Sequence, residues 1–318
     1  MEGWGVRSMD LETVKANALA FAASRALIGE GQWLRDFEAF LTIEDEDTRF
    51  EAVDEIYRIT TPDFAAVAEW ADDARPEVRA AACYALRLQD YREDAPERGA
   101  LFYPQGVPIL LKKLHDPESQ VRADAAFALG HIGDAQSLPA LINSASDTSE
   151  DVRYGVAFAL GSFHEDHWEK YGEQDKPATR AALLRLMDDE DEDVRDWATF
   201  GIHQGQHDTP EARARLWRAL DDPNPDVRGE AAEGLALFDD RSFLLRLDRL
   251  LREDEDISPC YFIAAETFND PVLLPAVLEA AENWRGTLAE GEKLHGAIVS
   301  AIEKLQETAA SASAPQNE

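Results

Sequence analysis

The sequence predicts an all-α fold, an α-solenoid of stacked antiparallel helix pairs, and three observations carry that expectation. An Asp stands six residues ahead of a Val-Arg arginine five times, from Asp73 to Arg79, Asp116 to Arg122, Asp147 to Arg153, Asp189 to Arg195 and Asp222 to Arg228. A segment with Leu, Ile and Val at three- and four-residue spacing precedes each of the later copies, the pattern of a helix with one apolar face. A helix rich in small residues follows each Arg. A unit recurring every 30 to 43 residues packs on its neighbours and need not enlarge one core, so the chain length does not force a split into globular domains.

The first helix of each unit, helix A, is expected at Val107–Leu114, Leu138–Ala145, Thr179–Met187, Glu211–Leu220 and Phe243–Leu251. The second, helix B, begins about three residues before the Arg. Asn224-Pro225-Asp226-Val227 and Ser149-Glu150-Asp151-Val152 read as its clearest starts: a polar cap, Pro or an acid in the first turn, then an apolar residue. Ala82, Ala85, Ala125, Ala128, Ala157 and Ala231 fall where neighbouring B helices approach. Gly130 and Gly161 read as helix ends.

Before the clear copies, Trp33–Leu41 and Thr48–Val53 look like an earlier unit. Its Arg49 lies 30 residues before Arg79, with Ile43 in place of the Asp. After them, Cys260–Phe268 and Val272–Ala281 continue the alternation without the Arg. The expected layout is a capping segment over 1–30, a solenoid of about seven helix pairs over 31–284, a capping helix over 285–306 and a disordered tail over 307–318. Atypical terminal units are normal in repeat arrays.

Composition narrows the function. With 64 acidic against 31 basic residues the net charge is −33, so nucleic acid is a poor partner and a basic protein or peptide a good one. The two cysteines, Cys83 and Cys260, give no disulfide framework, and with no export signal they point to the cytoplasm. Ala16–Gly29 is too short to span a bilayer and lacks a basic leader, so no membrane association is expected.

The segments Leu114–Asp134 and Leu220–Leu235 resemble the HEAT-repeat family, in particular its short phycobilisome-lyase-like subtype. The pattern covers about 45 to 280. The resemblance implies that each Asp and Arg forms a ladder between adjacent repeats, and that the fold binds proteins without prescribing one chemistry.

Three surfaces are then marked. The A-to-B turns carry acids: Glu44–Asp47, Asp188–Asp193, Asp221-Asp222 and Glu253–Asp256. Two B-to-A loops, Gln89–Gly106 and His164–Pro177, are long and hold Tyr91, Phe102, Tyr103, Trp168 and Tyr171. The third is the position five residues past each ladder Arg: Tyr84, Phe127, Phe158 and Phe200, then Glu233. With Tyr154, Trp197, Asp124, Asp196 and Glu230 these suggest a concave stripe of rings and carboxylates that suits Arg or Lys side chains. Equally, the rings could pack between neighbouring B helices.

Enzymatic readings are weaker. His131, His164, His167, His203 and His207 fall at B-helix ends, yet stacked repeats stand ~10 Å apart, too far for shared ligands. His164-Glu165-Asp166-His167 is one residue short of a zinc-protease motif. Asp189, Asp191 and Asp193 lack the Gly and the closing Glu of a calcium loop. Deoxyhypusine hydroxylase, a HEAT-type enzyme, holds iron through His-Glu pairs; no such pair follows any ladder Arg here. The expectation is a non-catalytic scaffold, adaptor or inhibitor, of which an immunity-type protein is one version, with no cofactor. A bilin or cofactor lyase or chaperone is the alternative, and a metal-binding HEAT enzyme, its histidines brought together by stacked loops, is a weaker third.

Overall fold

The computed structural model describes residues 64–87, 104–163, 173–254, 256–284 and 293–313. Among these residues there are fourteen α-helices and no strand, which makes the fold the α-solenoid that the repeat predicts. In A/B pairs they are α1 (Phe64–Trp70) with α2 (Pro76–Arg87), α3 (Val107–Lys113) with α4 (Ser119–Ile132), and α5 (Leu138–Ser144) with α6 (Glu150–Gly161). There follow α7 (Lys176–Leu186) with α8 (Glu192–Gln204), α9 (Pro210–Ala219) with α10 (Pro225–Leu237), α11 (Leu244–Glu253) with α12 (Pro259–Phe268), and α13 (Leu274–Trp284) with α14 (Lys293–Ser313). None of the described helices is long and apolar enough to cross a membrane.

The chain forms two compact units, within Met1–Ala159 and Leu160–Glu318. In the first, α2 packs on α4. In the second, α8 packs on α10, α10 on α12 and α12 on α14, while α11 packs on α13. Each unit therefore has a layer of B helices. The Val of every Val-Arg pair is its anchor: Val78, Val121, Val152, Val194 and Val227 are all essentially inaccessible. The alanines expected at helix contacts, Ala82, Ala85, Ala125, Ala128, Ala157 and Ala231, are fully buried.

The glycine reading needs correction. Helix α4 runs through Gly130 and ends at Gly133, whose φ of 66° is the left-handed turn a glycine accepts readily. Gly130 instead lets α4 touch α6, since a Cβ there would lie 2.7 Å from Ala159 Cα. Gly161 is the last residue of α6, where a Cβ would lie 3.2 Å from the Trp197 carbonyl oxygen. The tail is also corrected. The last helix continues past 306 to Ser313, so residues 307–313 are helical. It is the B partner of α13 (the two pack together), and Ile298, Ala301 and Leu305 are its buried stripe. The earlier unit at Trp33–Val53 and the segment 1–30 lie outside the described residues.

Charge joins the repeats twice. Arg79 donates Nε and Nη2 to Asp116 at 2.8 and 2.7 Å, and Arg122 reaches Asp147 in the same two-pronged way at 2.8 Å. In the second unit Arg195 pairs with Asp222 and Arg228 with Asp254. The same arginines donate Nη1 to carbonyls of their own turn, as Arg122 does to Asp116 and Pro117. Each Asp in turn accepts the backbone N–H two residues on, for instance Asp147 from Ser149 and Asp222 from Asn224. The ladder the resemblance implies is thus both a bridge and a turn clamp. Asp254 extends it where no following Val-Arg marks the site; there the Tyr261 hydroxyl donates to the same carboxylate at 2.7 Å.

A second set runs outside the first. Asp72 accepts from Lys112 at 2.9 Å and Lys113 at 3.2 Å. Asp188 pairs with Arg215 and Arg218, Asp221 with Arg246 at 2.6 Å, and Arg252 with Glu279. The first Asp of each doublet at 72–73, 188–189 and 221–222 therefore meets the next A helix; of the second ones, Asp222 forms the ladder with Arg195, while Asp73 accepts from Arg75 of its own turn. Part of the acidic edge is committed to these contacts.

Candidate functional site

On helix α4, Gln120, Asp124, Phe127 and His131 recur at four, three and four residues and so share one face. The equivalent face of α6 carries Asp151, Tyr154 and Phe158, and that of α2 carries Tyr84 and Arg87. Tyr84, Phe127, Phe158 and Phe200 are all half-buried. Each is thus partly packed and partly exposed. Phe127 leans into the notch at Gly155, where a Cβ would come 3.1 Å from the ring, and Phe158 leans into the notch at Gly130 at 3.0 Å. One edge of the Phe127 and Phe158 rings rests on a neighbouring helix, and both rings stay partly exposed.

In the first unit the structure brings these residues into a continuous strip. The Phe127 ring lies 5.2 Å from Phe158 and 5.1 Å, edge-on, from Tyr154. Phe158 lies 4.9 Å from the His131 ring. His131 Nε2 is 2.6 Å from Arg87 Nη1, and the Arg87 guanidinium sits 4.0 Å above the Tyr84 ring. Desolvation against these neighbours, then the Arg87 charge, holds His131 down to about 4, although part of its ring still meets solvent. At neutral pH it is an uncharged imidazole able to accept from Arg87. Asp124 accepts from Gln120 at 3.3 Å on the same face.

In the second unit Trp197 meets Phe200 edge-on at 5.4 Å, and Phe200 meets His203 at 5.4 Å. His203 is fully buried, and its Nε2 lies 2.7 Å from Glu230 Oε2. Glu230 Oε1 accepts from the Cys260 thiol at 3.7 Å. Glu230, expected as an open carboxylate, thus belongs to a polar link between α8, α10 and α12. Neither that link nor the Arg87–His131 contact was legible from the Arg-based spacing. The only sequence signal is that Glu230 and His203 sit two and eight residues past ladder arginines.

Burial pushes both thiols up, with Asp124 adding to it at Cys83 and Glu230 and Glu233 at Cys260, so neither is a thiolate at neutral pH. Among the described residues no three His, Cys, Asp or Glu side chains come together to hold a metal ion. His164 and His167, like Tyr91, Phe102, Tyr103, Trp168 and Tyr171, lie outside the described residues. Asp189 and Asp191 accept backbone N–H groups of Asp191 and Val194, a helix-start arrangement.

Comparison with known proteins agrees with the repeat geometry. HEAT repeats match over residues 107–203 and 179–259, and a HEAT-like repeat over 74–132. Among solved structures the chain is similar to YibA of Escherichia coli, at 20% identity over 96% of this chain and 99% of that one, with a TM-score of 0.61. It is also similar to the CpcE–CpcF complex of phycocyanin lyase from Nostoc sp. PCC7120, at 14% identity over 77% of this chain and 96% of that one, with a TM-score of 0.46. No curated protein matches the chain.

Proposed function

The chain belongs to the HEAT-repeat family, and from that premise we propose that it is a non-catalytic protein-binding scaffold whose helix-B face receives Arg- or Lys-bearing segments of a basic partner. The observation that carries this reading is the strip of half-buried rings on α2, α4 and α6. A ring held at one edge and open at the other costs little to order on binding and offers its negative face to a cation. Asp124 and Asp151 stand on the same helix faces and supply opposite charge. The net charge of −33 adds a long-range attraction that speeds encounter with a basic partner.

The test is fluorescence anisotropy with a labelled peptide of alternating Arg and Gly at low salt, against a Glu–Gly peptide. Selective binding of the Arg peptide that weakens as salt rises, and that Phe127→Ala and Phe158→Ala reduce at least ~5-fold, is the expected result. Equal binding of both peptides, or indifference to both substitutions in folded protein, overturns the proposal.

A further inference from the structure

An arginine of the chain itself already occupies one seat of the strip. Arg87, in the last turn of α2, lies with its guanidinium 4.0 Å over Tyr84 and its Nη1 2.6 Å from His131 Nε2. Cation over ring face, with a neutral acceptor at the rim, is the chemistry by which a partner's guanidinium would be held. His131 in turn touches Phe158 at 4.9 Å, so the Arg87 seat is continuous with the Phe127–Phe158 part of the strip. Arg87 is half-buried at a helix end, and a long side chain there can swing out without disturbing the helix.

We propose that Arg87 is a built-in occupant of the aromatic strip and that an arginine-bearing peptide docks by displacing it from Tyr84 and His131. This rests on the function proposed above and sharpens it. The strip selects guanidinium over ammonium, because only a planar fork can stack on Tyr84 and donate sideways to His131 together. The internal arginine sets the threshold a ligand must exceed, as any competing occupant lowers apparent affinity by the fraction of seats it fills.

The experiment compares wild type, Arg87→Ala and Arg87→Lys for binding of the alternating Arg–Gly peptide and its Lys–Gly counterpart. Arg249→Ala, which removes an exposed arginine elsewhere, controls for net charge. Arg87→Ala is expected to bind the Arg peptide roughly 3- to 10-fold more tightly, with a smaller gain for the Lys peptide. Arg87→Lys should fall between, and Arg249→Ala should stay within about 2-fold of wild type. The His131 ring, followed by NMR, should titrate at higher pH in Arg87→Ala than in wild type, since a neighbouring positive charge that lowers it has gone. Unchanged or weaker binding by both Arg87 variants, with Phe158→Ala still damaging, overturns the displacement and leaves the scaffold reading intact. Absence of peptide binding by every variant overturns both.

Discussion

Phe158 is the residue at which packing and recognition can be separated. Its ring rests on the Gly130 notch and on Phe127 and His131, yet it is only half-buried, so Phe158→Ala should cost about 1–3 kcal/mol, below the value for a fully enclosed ring. Chemical denaturation measures that cost, and the peptide titration shows whether binding falls by more than stability explains. Gln206 offers the opposite change. Its φ of 50° is left-handed backbone that a side chain resists, and Gln206→Gly should stabilise the chain by up to about 1 kcal/mol in the same denaturation experiment.

The ladder and the helix contacts belong to the scale of the element. Arg122 and Asp147 are mostly withdrawn from solvent, with side-chain exposures of 15% and 16%. Removing one partner leaves the other charge poorly solvated, so Arg122→Ala should destabilise by about 2–4 kcal/mol. A double-mutant cycle with Asp147→Ala should show strong coupling, because the second change removes the stranded charge. Between α4 and α6, Gly130→Ala drives a methyl group into the Ala159 backbone at 2.7 Å. It should cost about 1–3 kcal/mol and weaken peptide binding as well, since the same contact seats Phe158. The outer pairs, such as Arg246 with Asp221, are more exposed, and their loss should be close to neutral.

Over the whole molecule the ladder carboxylates tie stability to pH. At Asp116, Asp222 and Asp254 desolvation works to raise the carboxyl, and hydrogen bonds from Arg79, from Arg195, and from Tyr261 with Arg228 outweigh it; at Asp147 the Arg122 hydrogen bond dominates. All four stay charged more readily folded than unfolded. Their contribution is fully present above the unfolded value of about 4 and is lost as pH falls through the lower folded values. Acidification also relieves the repulsion of an excess of negative charge. Stability measured by denaturant should therefore hold or rise slightly from neutrality to about pH 5, then fall steeply below about pH 4. A flat profile down to pH 2 would mean that the ladder contributes nothing to stability.

Repetition settled the helix pairs by itself. The interval between Val-Arg motifs, the apolar spacing of the A helices and the Val under each Arg recur, and a recurring local pattern allows one local structure. The ladder Asp and Arg were legible for the same reason, since spacing in sequence becomes spacing in a stack. Asp254, the outer ion pairs, the notch role of Gly130, the Arg87–Tyr84–His131 contact and the His203–Glu230 link were not. Each depends on which residue of one helix faces which residue of the next, and single-helix periodicity is silent about that register. How far the rings at the fifth position after the Arg are buried was likewise decided by tertiary packing, because at Phe127 and Phe158 a glycine on the adjacent helix gives one edge of the ring a seat and leaves the ring half-buried.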